Sequence, residues 1–297
     1  MNHFRSTRFI AVASSAGLMG LSLNANAINI DLFSQPDDSQ QIVTASNIGD
    51  DDASTYINLD GSILGGARTL YVKTVDGPAG EATTKMLAGL GFLSFDTGSL
   101  VTGYGEIVWD GGSGYEGGEF ENIPPDYTPL NLIDYTGLDG VDLTDNGALT
   151  GFLVTTLFAD LGWNFEVIAY TDADNWTQIN FQATEVPAGA GPVSNFIPFA
   201  DFMNPGLCGL DNPSSGVNSI RCAPDGNVVD FTNLGALAVR LNVGEDGSQD
   251  GGTVSVDLTL TDITTTIPEP ATLGLLGMGL LAAGGMLGLR RRNQLSV

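Results

Sequence analysis

Along the chain the apolar residues alternate with polar ones or fall in short runs closed by Gly, Asp, Asn and Pro. That is strand spacing, not the 3.6-residue stripe of a packed helix. The run Thr253-Val-Ser-Val-Asp-Leu-Thr-Leu-Thr alternates almost perfectly. The same reading predicts strands at Thr69–Thr74, Leu90–Phe95, Gly105–Trp109, Leu149–Phe158, Asn164–Thr171, Trp176–Ala183, Asn195–Pro198, Ala236–Asn242 and Thr253–Thr264. No segment of ten residues carries a convincing helical stripe. The expectation is an all-β protein with a single β-sandwich ectodomain over residues 28–267, and the number of strands favours jelly-roll over immunoglobulin connectivity.

The two ends break this pattern. Residues 1–27 hold Arg5 and Arg8, an apolar stretch from Phe9 to Leu23, and then Ala25-Asn26-Ala27. Charged flank, apolar core and small-x-small site in that order predict a signal peptide cut by signal peptidase, with Ile28 as the mature N-terminus. At the other end residues 271–289 carry no charge, and as a helix they would measure about 28 Å, the hydrocarbon thickness of a bilayer. Arg290, Arg291 and Arg292 follow at once. A basic cluster after an apolar span stays cytoplasmic, so the ectodomain is expected outside the cytoplasm, held by a single transmembrane helix, with 293–297 as a cytoplasmic tail.

Directly before the span stands Ile267-Pro268-Glu269-Pro270. Pro-Glu-Pro, a Gly/Ala/Leu-rich span and an Arg cluster near the C-terminus, together residues 268–292, resemble the PEP-CTERM sorting signal of exported bacterial proteins. The resemblance implies an exosortase that recognises Pro268, Glu269 and Pro270 and removes the tail, after an inner-membrane intermediate. It also implies display at the cell surface or in the extracellular matrix of a bacterium that makes exopolysaccharide or biofilm. The chemistry agrees, because two prolines keep the segment extended and outside the following helix. An ordinary uncleaved anchor is the alternative.

Charge then narrows the partners. The whole chain carries 35 acidic and 10 basic residues. Residues 28–267 hold 34 of the acidic ones and only Arg68, Lys73, Lys85, Arg221 and Arg240 as bases, a charge near −29. Such a surface repels phosphate backbones and excludes nucleic acid; it also opposes acidic polysaccharide unless divalent cations bridge. The sole histidine, His3, lies in the signal peptide, so the mature chain has no Ser-His-Asp or Cys-His site and no imidazole metal site. The Gly-rich run from Gly111 to Gly118 contains Glu116 and no Lys, which reads as a surface loop and not a phosphate cradle.

The two cysteines, Cys208 and Cys222, fall in an oxidising compartment and are expected to pair, bracing a Pro/Gly/Asn-rich stretch. Trp109 and Trp163 sit at strand ends and are expected in the core. Trp176 follows Asp172-Ala-Asp174-Asn175 in a turn and is the best exposed aromatic; with Tyr170, Asp172 and Asp174 it makes a candidate glycan-binding group, a flat ring flanked by carboxylates. Asp139, Asp142, Asp145 and Asn146, and separately Asp50-Asp51-Asp52, supply hard oxygen ligands in Gly-punctuated turns for a structural calcium, with solvated acidic turns as the alternative. No other cofactor is expected.

A second resemblance concerns the ectodomain. Gly65-Gly66-Ala67-Arg68-Thr69-Leu70, Ile107-Val108-Trp109-Asp110-Gly111, Phe196 to Phe202 and Asp230 to Leu237 follow one another as in galactose-binding-like jelly rolls among carbohydrate-binding modules. This implies a fold more than an activity. The resulting expectation is a non-catalytic surface β-sandwich that binds or organises extracellular polysaccharide. The alternatives are a self-associating matrix protein without a glycan site, or a glycosidase built on two carboxylates.

Overall fold

The computed structural model describes residues 27–36, 39–112, 133–245, 247–248 and 252–267. The sorting signal with its expected membrane span, the expected cytoplasmic tail, all of the expected signal peptide but Ala27, and most of the Gly-rich loop lie outside them.

In chain order the strands are β1 (Asn29–Asp31), β2 (Gln41–Ala45), β3 (Asp51–Ile57), β4 (Ala67–Asp76), β5 (Thr84–Gly89), β6 (Phe92–Thr97), β7 (Thr102–Trp109), β8 (Gly151–Ala159), β9 (Trp163–Asp172), β10 (Asn175–Ala183) and β11 (Val193–Pro198). After one helical turn, α1 (Phe199–Phe202), come β12 (Asp211–Ser214), β13 (Val217–Cys222), β14 (Ala236–Leu241) and β15 (Asp257–Thr266). All nine sequence-predicted strands are present. They form two antiparallel sheets. The back sheet runs β11-β8-β15-β6-β5-β2, with β1 also on β15, and the front sheet runs β12-β13-β10-β9-β14-β7-β4-β3.

The jelly roll is visible in these orders. Taking β11-β8-β15-β6 against β10-β9-β14-β7, every strand stands at the same place in its sheet as its sequence neighbour in the other. The chain therefore crosses between sheets at each such pair, the double Greek key of a jelly roll. The pairs β2/β3 and β5/β4 extend it at one side, and β13 with β12 widens the front sheet at the other.

Inward-facing residues of both sheets merge into one core that includes Leu70, Met86, Phe95, Ile107, Phe152, Val167, Phe181 and Leu258. Trp109 and Trp163 belong to it, as expected. The sheets approach closely at β7, where a Cβ on Gly105 would run into the side chains of Met86 and Phe95. A buried polar cluster ties them together beside this point. Arg68 of β4 donates from Nη1 to both oxygens of Asp31 of β1 at 2.8 and 2.7 Å, from Nε to Gln41 at 2.9 Å and from Nη2 to Gln35 at 2.9 Å. Trp109 Nε1 donates to Asp31 Oδ2 at 3.0 Å. Arg68 and Asp31 are fully buried, and desolvation raises the Asp31 carboxyl despite the guanidinium beside it. Strand β1 thus carries one half of a charge pair whose other half lies in the opposite sheet.

Of the Asp50–Asp52 run only Asp50 belongs to a turn, its N–H donating to the Asn47 carbonyl at 3.0 Å. Contrary to expectation Asp51 and Asp52 open β3, and Asp52 Oδ2 accepts from the Thr44 N–H of β2, in the other sheet, at 2.7 Å.

Candidate functional site

The hairpin joining β9 to β10 turns through Asp172-Ala173-Asp174-Asn175. Asp172 holds that turn: its carboxylate accepts from the Asp174 N–H at 2.8 Å and from Asn175 Nδ2 at 2.8 and 3.0 Å. The side chain is therefore spent locally, whereas Asp174 stands exposed at the tip. Trp176 is not in the turn but is the second residue of β10, opposite Tyr170 of β9. Their rings are 6.4 Å apart at 46°. Both project from the outer face of the front sheet, since the intervening Ala169 and Thr177 are buried on the other side.

A third ring, missed by sequence reasoning, completes the group. Tyr135 lies 5.1 Å from Tyr170 at 51°. It comes from the segment 133–138, which crosses the front sheet; Leu138 N–H donates to the Gly235 carbonyl at 3.0 Å, and Gly235 N–H to the Tyr170 carbonyl at 2.8 Å. Gly235 is required there, because a Cβ would collide with the carbonyl oxygens of Tyr135 and Thr171. Tyr135, Tyr170 and Trp176 are all half-buried. Beneath them Val108, Ile133, Ile168, Ala236 and Ala238 form a second apolar layer, separate from the core between the sheets. The result is a line of three rings, each with part of its surface open. Burial pushes the Tyr170 phenol upward, so its hydroxyl stays protonated.

Further along the same face the register sets Tyr71, Glu106, Arg240, Glu166, Asn180 and Ser219 in one row across six strands. Arg240 bridges two carboxylates, donating to Glu106 Oε1 at 2.9 Å and Glu166 Oε2 at 3.4 Å. Gln178 donates to Glu166 Oε1 at 2.8 Å. Both glutamates are fully buried, and desolvation raises the Glu166 carboxyl against the opposing pull of Arg240. Carboxylates held this way are structural partners of one guanidinium and face no open cleft.

The 139–146 turn is held by bonds among its own residues. Asp139, Asp145 and Asn146 have φ of 53°, 46° and 56°, the left-handed conformation that Asp and Asn tolerate best. Asp142 Oδ1 accepts from Thr144 N–H and Oγ1 at 2.8 and 2.6 Å, and Oδ2 from the Asn146 N–H at 3.0 Å. These bonds, the Thr144 hydroxyl foremost, hold the Asp142 carboxyl below the usual range. Among the described residues no group of three or more His, Cys, Asp or Glu is arranged to hold a metal ion. Cys208 and Cys222 do form the disulfide, with Cα atoms 5.5 Å apart, tying the loop after α1 to the end of β13.

Residues 266–292 match the PEP-CTERM protein-sorting motif. This confirms the sequence resemblance and marks the chain for export and cell-surface sorting. The match begins at Thr266, the last residue of β15, so the motif follows the folded domain without a linker. No curated protein matches the chain. Among solved structures it is similar to a family 11 carbohydrate-binding module from Clostridium thermocellum in complex with a β-1,3-1,4-mixed-linked tetrasaccharide, at 10% identity and TM-score 0.33 over 81% of this chain and 95% of that one. The family 11 module of a cellulosomal cellulase of the same organism gives 10% identity and TM-score 0.32 over 82% and 95%. An exo-β-agarase gives 10% and 0.35 over 82% of this chain and 26% of that one. Superpositions this loose carry no functional argument, and the jelly roll assigned above rests on strand order. The class so defined is an exported jelly roll with an aromatic outer face and a C-terminal sorting motif.

Proposed function

We propose that the chain is a non-catalytic surface protein that binds neutral extracellular polysaccharide along the Tyr135–Tyr170–Trp176 line. The observation that carries this reading is the row of three half-open rings in contact on one sheet face. A pyranose has one face of C–H bonds that stacks on such rings, while its hydroxyls reach polar groups at the margin, here Asp174 and the Tyr170 hydroxyl. The charge near −29 disfavours uronate or sulfate chains and so selects neutral glycans. Glu106 and Glu166, the carboxylates brought together on this face, are buried against Arg240, which supports binding over hydrolysis. A role in biofilm matrix follows if the bound glycan is the host's own.

The test is affinity electrophoresis of the exported protein in gels containing mixed-linkage β-glucan, galactan, agarose or the host exopolysaccharide. Retardation in at least one, lost on Trp176→Ala and on Tyr135→Ala with the melting curve intact, is expected. No retardation in any gel, or retardation indifferent to both variants, would overturn the reading in favour of a self-associating matrix protein. Repeating the runs in chelator decides whether calcium at residues 139–146 assists; unchanged mobility removes that role.

A further inference from the structure

At the edge of the sandwich where β10 and β11 face each other, a cavity of about 300 Å³ opens, roofed by α1 and the β12–β13 turn. It lies among the inward-facing residues at the open side of the sandwich and is distinct from the outer aromatic line. Its floor is aromatic: Phe165 and Phe181 stack at 5.1 Å and 21°. Its rim is polar, with Gln182, Asn195 and Asp201.

These rim side chains are uncommitted. By contrast Asp142 is spent on its turn, Asp172 on Asn175 and Glu166 on Arg240. Among the described residues the side chains of Gln182, Asn195 and Asp201 make no hydrogen bond or ion pair. Asp201 is half-buried, and burial alone pushes its carboxyl upward, with no cation to offset it. A larger cavity of about 670 Å³ lies near α1, but its acidic member is Asp142, already satisfied.

We propose that the cavity at the sandwich edge is a second carbohydrate site, taking one neutral pyranose ring with its C–H face on Phe165 and Phe181 and its hydroxyls on Asp201 and Asn195. The volume is at the lower end for ligand pockets, and an aromatic floor with a few convergent polar groups is how such sites fix a small polar ring. An amide and a carboxylate match hydroxyls, which both donate and accept; an ammonium would satisfy the carboxylate alone. The choice of a sugar as ligand rests on the glycan-binding reading above, whereas the cavity and its uncommitted groups do not.

The experiment is saturation-transfer NMR and calorimetry of the exported protein with D-glucose, D-galactose and D-mannose at millimolar concentration. At least one sugar is expected to bind. Asp201→Asn should weaken it about tenfold, the loss of a hydrogen bond to a charged acceptor. Trp176→Ala should leave it within about twofold, because the two sites share no residue. Conversely, Asp201→Asn should leave retardation by polysaccharide gels unchanged. Should Asp201→Asn fail to fold, Asn195→Ala on the exposed edge strand reads the same loss. Absence of monosaccharide binding by the wild type, or binding unmoved by the rim variants, overturns this site while leaving the outer line standing. Loss of monosaccharide binding on Trp176→Ala overturns it too, by placing the sugar on the outer line.

Discussion

The outer faces of the two sheets are built on different principles. In the back sheet buried and open positions alternate along β2, β5, β6 and most of β15, so one face packs in the core and the other meets water. In the front sheet every residue of β7 is buried, as are the first seven of β9 and all but Arg240 of β14. The second face of these strands carries the buried Glu106–Arg240–Glu166 row and an apolar layer under three half-open rings. A sheet needs only one buried face to fold. The front sheet's second buried layer therefore goes beyond what folding demands, and it is the layer that positions the proposed binding surface.

The largest effect is expected where the sheets are joined, before either outer face is touched. Asp31→Ala leaves the Arg68 guanidinium buried with only neutral partners, which costs about 3 to 5 kcal/mol. At about 2 to 4 °C per kcal/mol the melting temperature should fall by about 10 °C. A melting curve at neutral pH checks this; a shift near zero would mean that β1 is dispensable to the sandwich.

The next pair tests the contrast itself. Ile168 of β9 and Leu87 of β5 both point away from the core between the sheets, yet Ile168 is 2% exposed and Leu87 is half-buried. Ile168→Ala should cost about 2 to 4 kcal/mol through the void it leaves, and Leu87→Ala about 1 kcal/mol or less. Equal costs in denaturant titrations would erase the distinction between the faces. Comparable in size is the disulfide at the far end of the front sheet. Cys208→Ser/Cys222→Ser should lower stability by about 2 to 4 kcal/mol, the entropy of a loop whose ends are 14 residues apart. The same titration reads it, and an unchanged midpoint would show that the β13 end is held by strand pairing alone.

How much of this was legible in the sequence follows the same contrast. Alternation announces a strand with one wet face, so β15 could be read directly, and the runs of β8 to β10 were long enough to be found from their turns. Strands β1, β2, β3, β5, β12 and β13 were missed because they are short, polar or at sheet edges, where tertiary pairing and not local pattern decides. β3 opens on Asp51-Asp52, which no propensity marks as strand. Within the site, Trp176 and Tyr170 were found as large aromatics beside a turn. Tyr135 was not, since it reaches them only because Gly235 lets its segment cross the sheet. Nor could Glu106, Glu166 and Arg240 be joined by eye: each is far from the others in sequence, and only the strand order brings them into one row.

The smallest expected effect is a pH slope, and its sign follows from burial. Desolvation is the leading cause that raises the carboxyls of Glu166 on the front face and of Asp96 and Asp257 on the back sheet. Asp96 and Asp257 stand opposite each other on β6 and β15, with Asp160 adding repulsion. A carboxyl raised in the folded state binds protons more tightly there than in the unfolded chain, so its contribution is full below the ordinary carboxylate range and is lost as pH rises through the folded value. Asp60 and Asp142 are lowered and work the other way, but both are open to solvent, where such effects are screened. The melting temperature should therefore be higher at pH 5 than at pH 8, in keeping with relief of a charge near −29. Asp257→Asn should flatten that slope by removing one of two facing charges. A slope of opposite sign in the wild type would mean that ion pairing, and not desolvation, governs the acidic groups of both sheets.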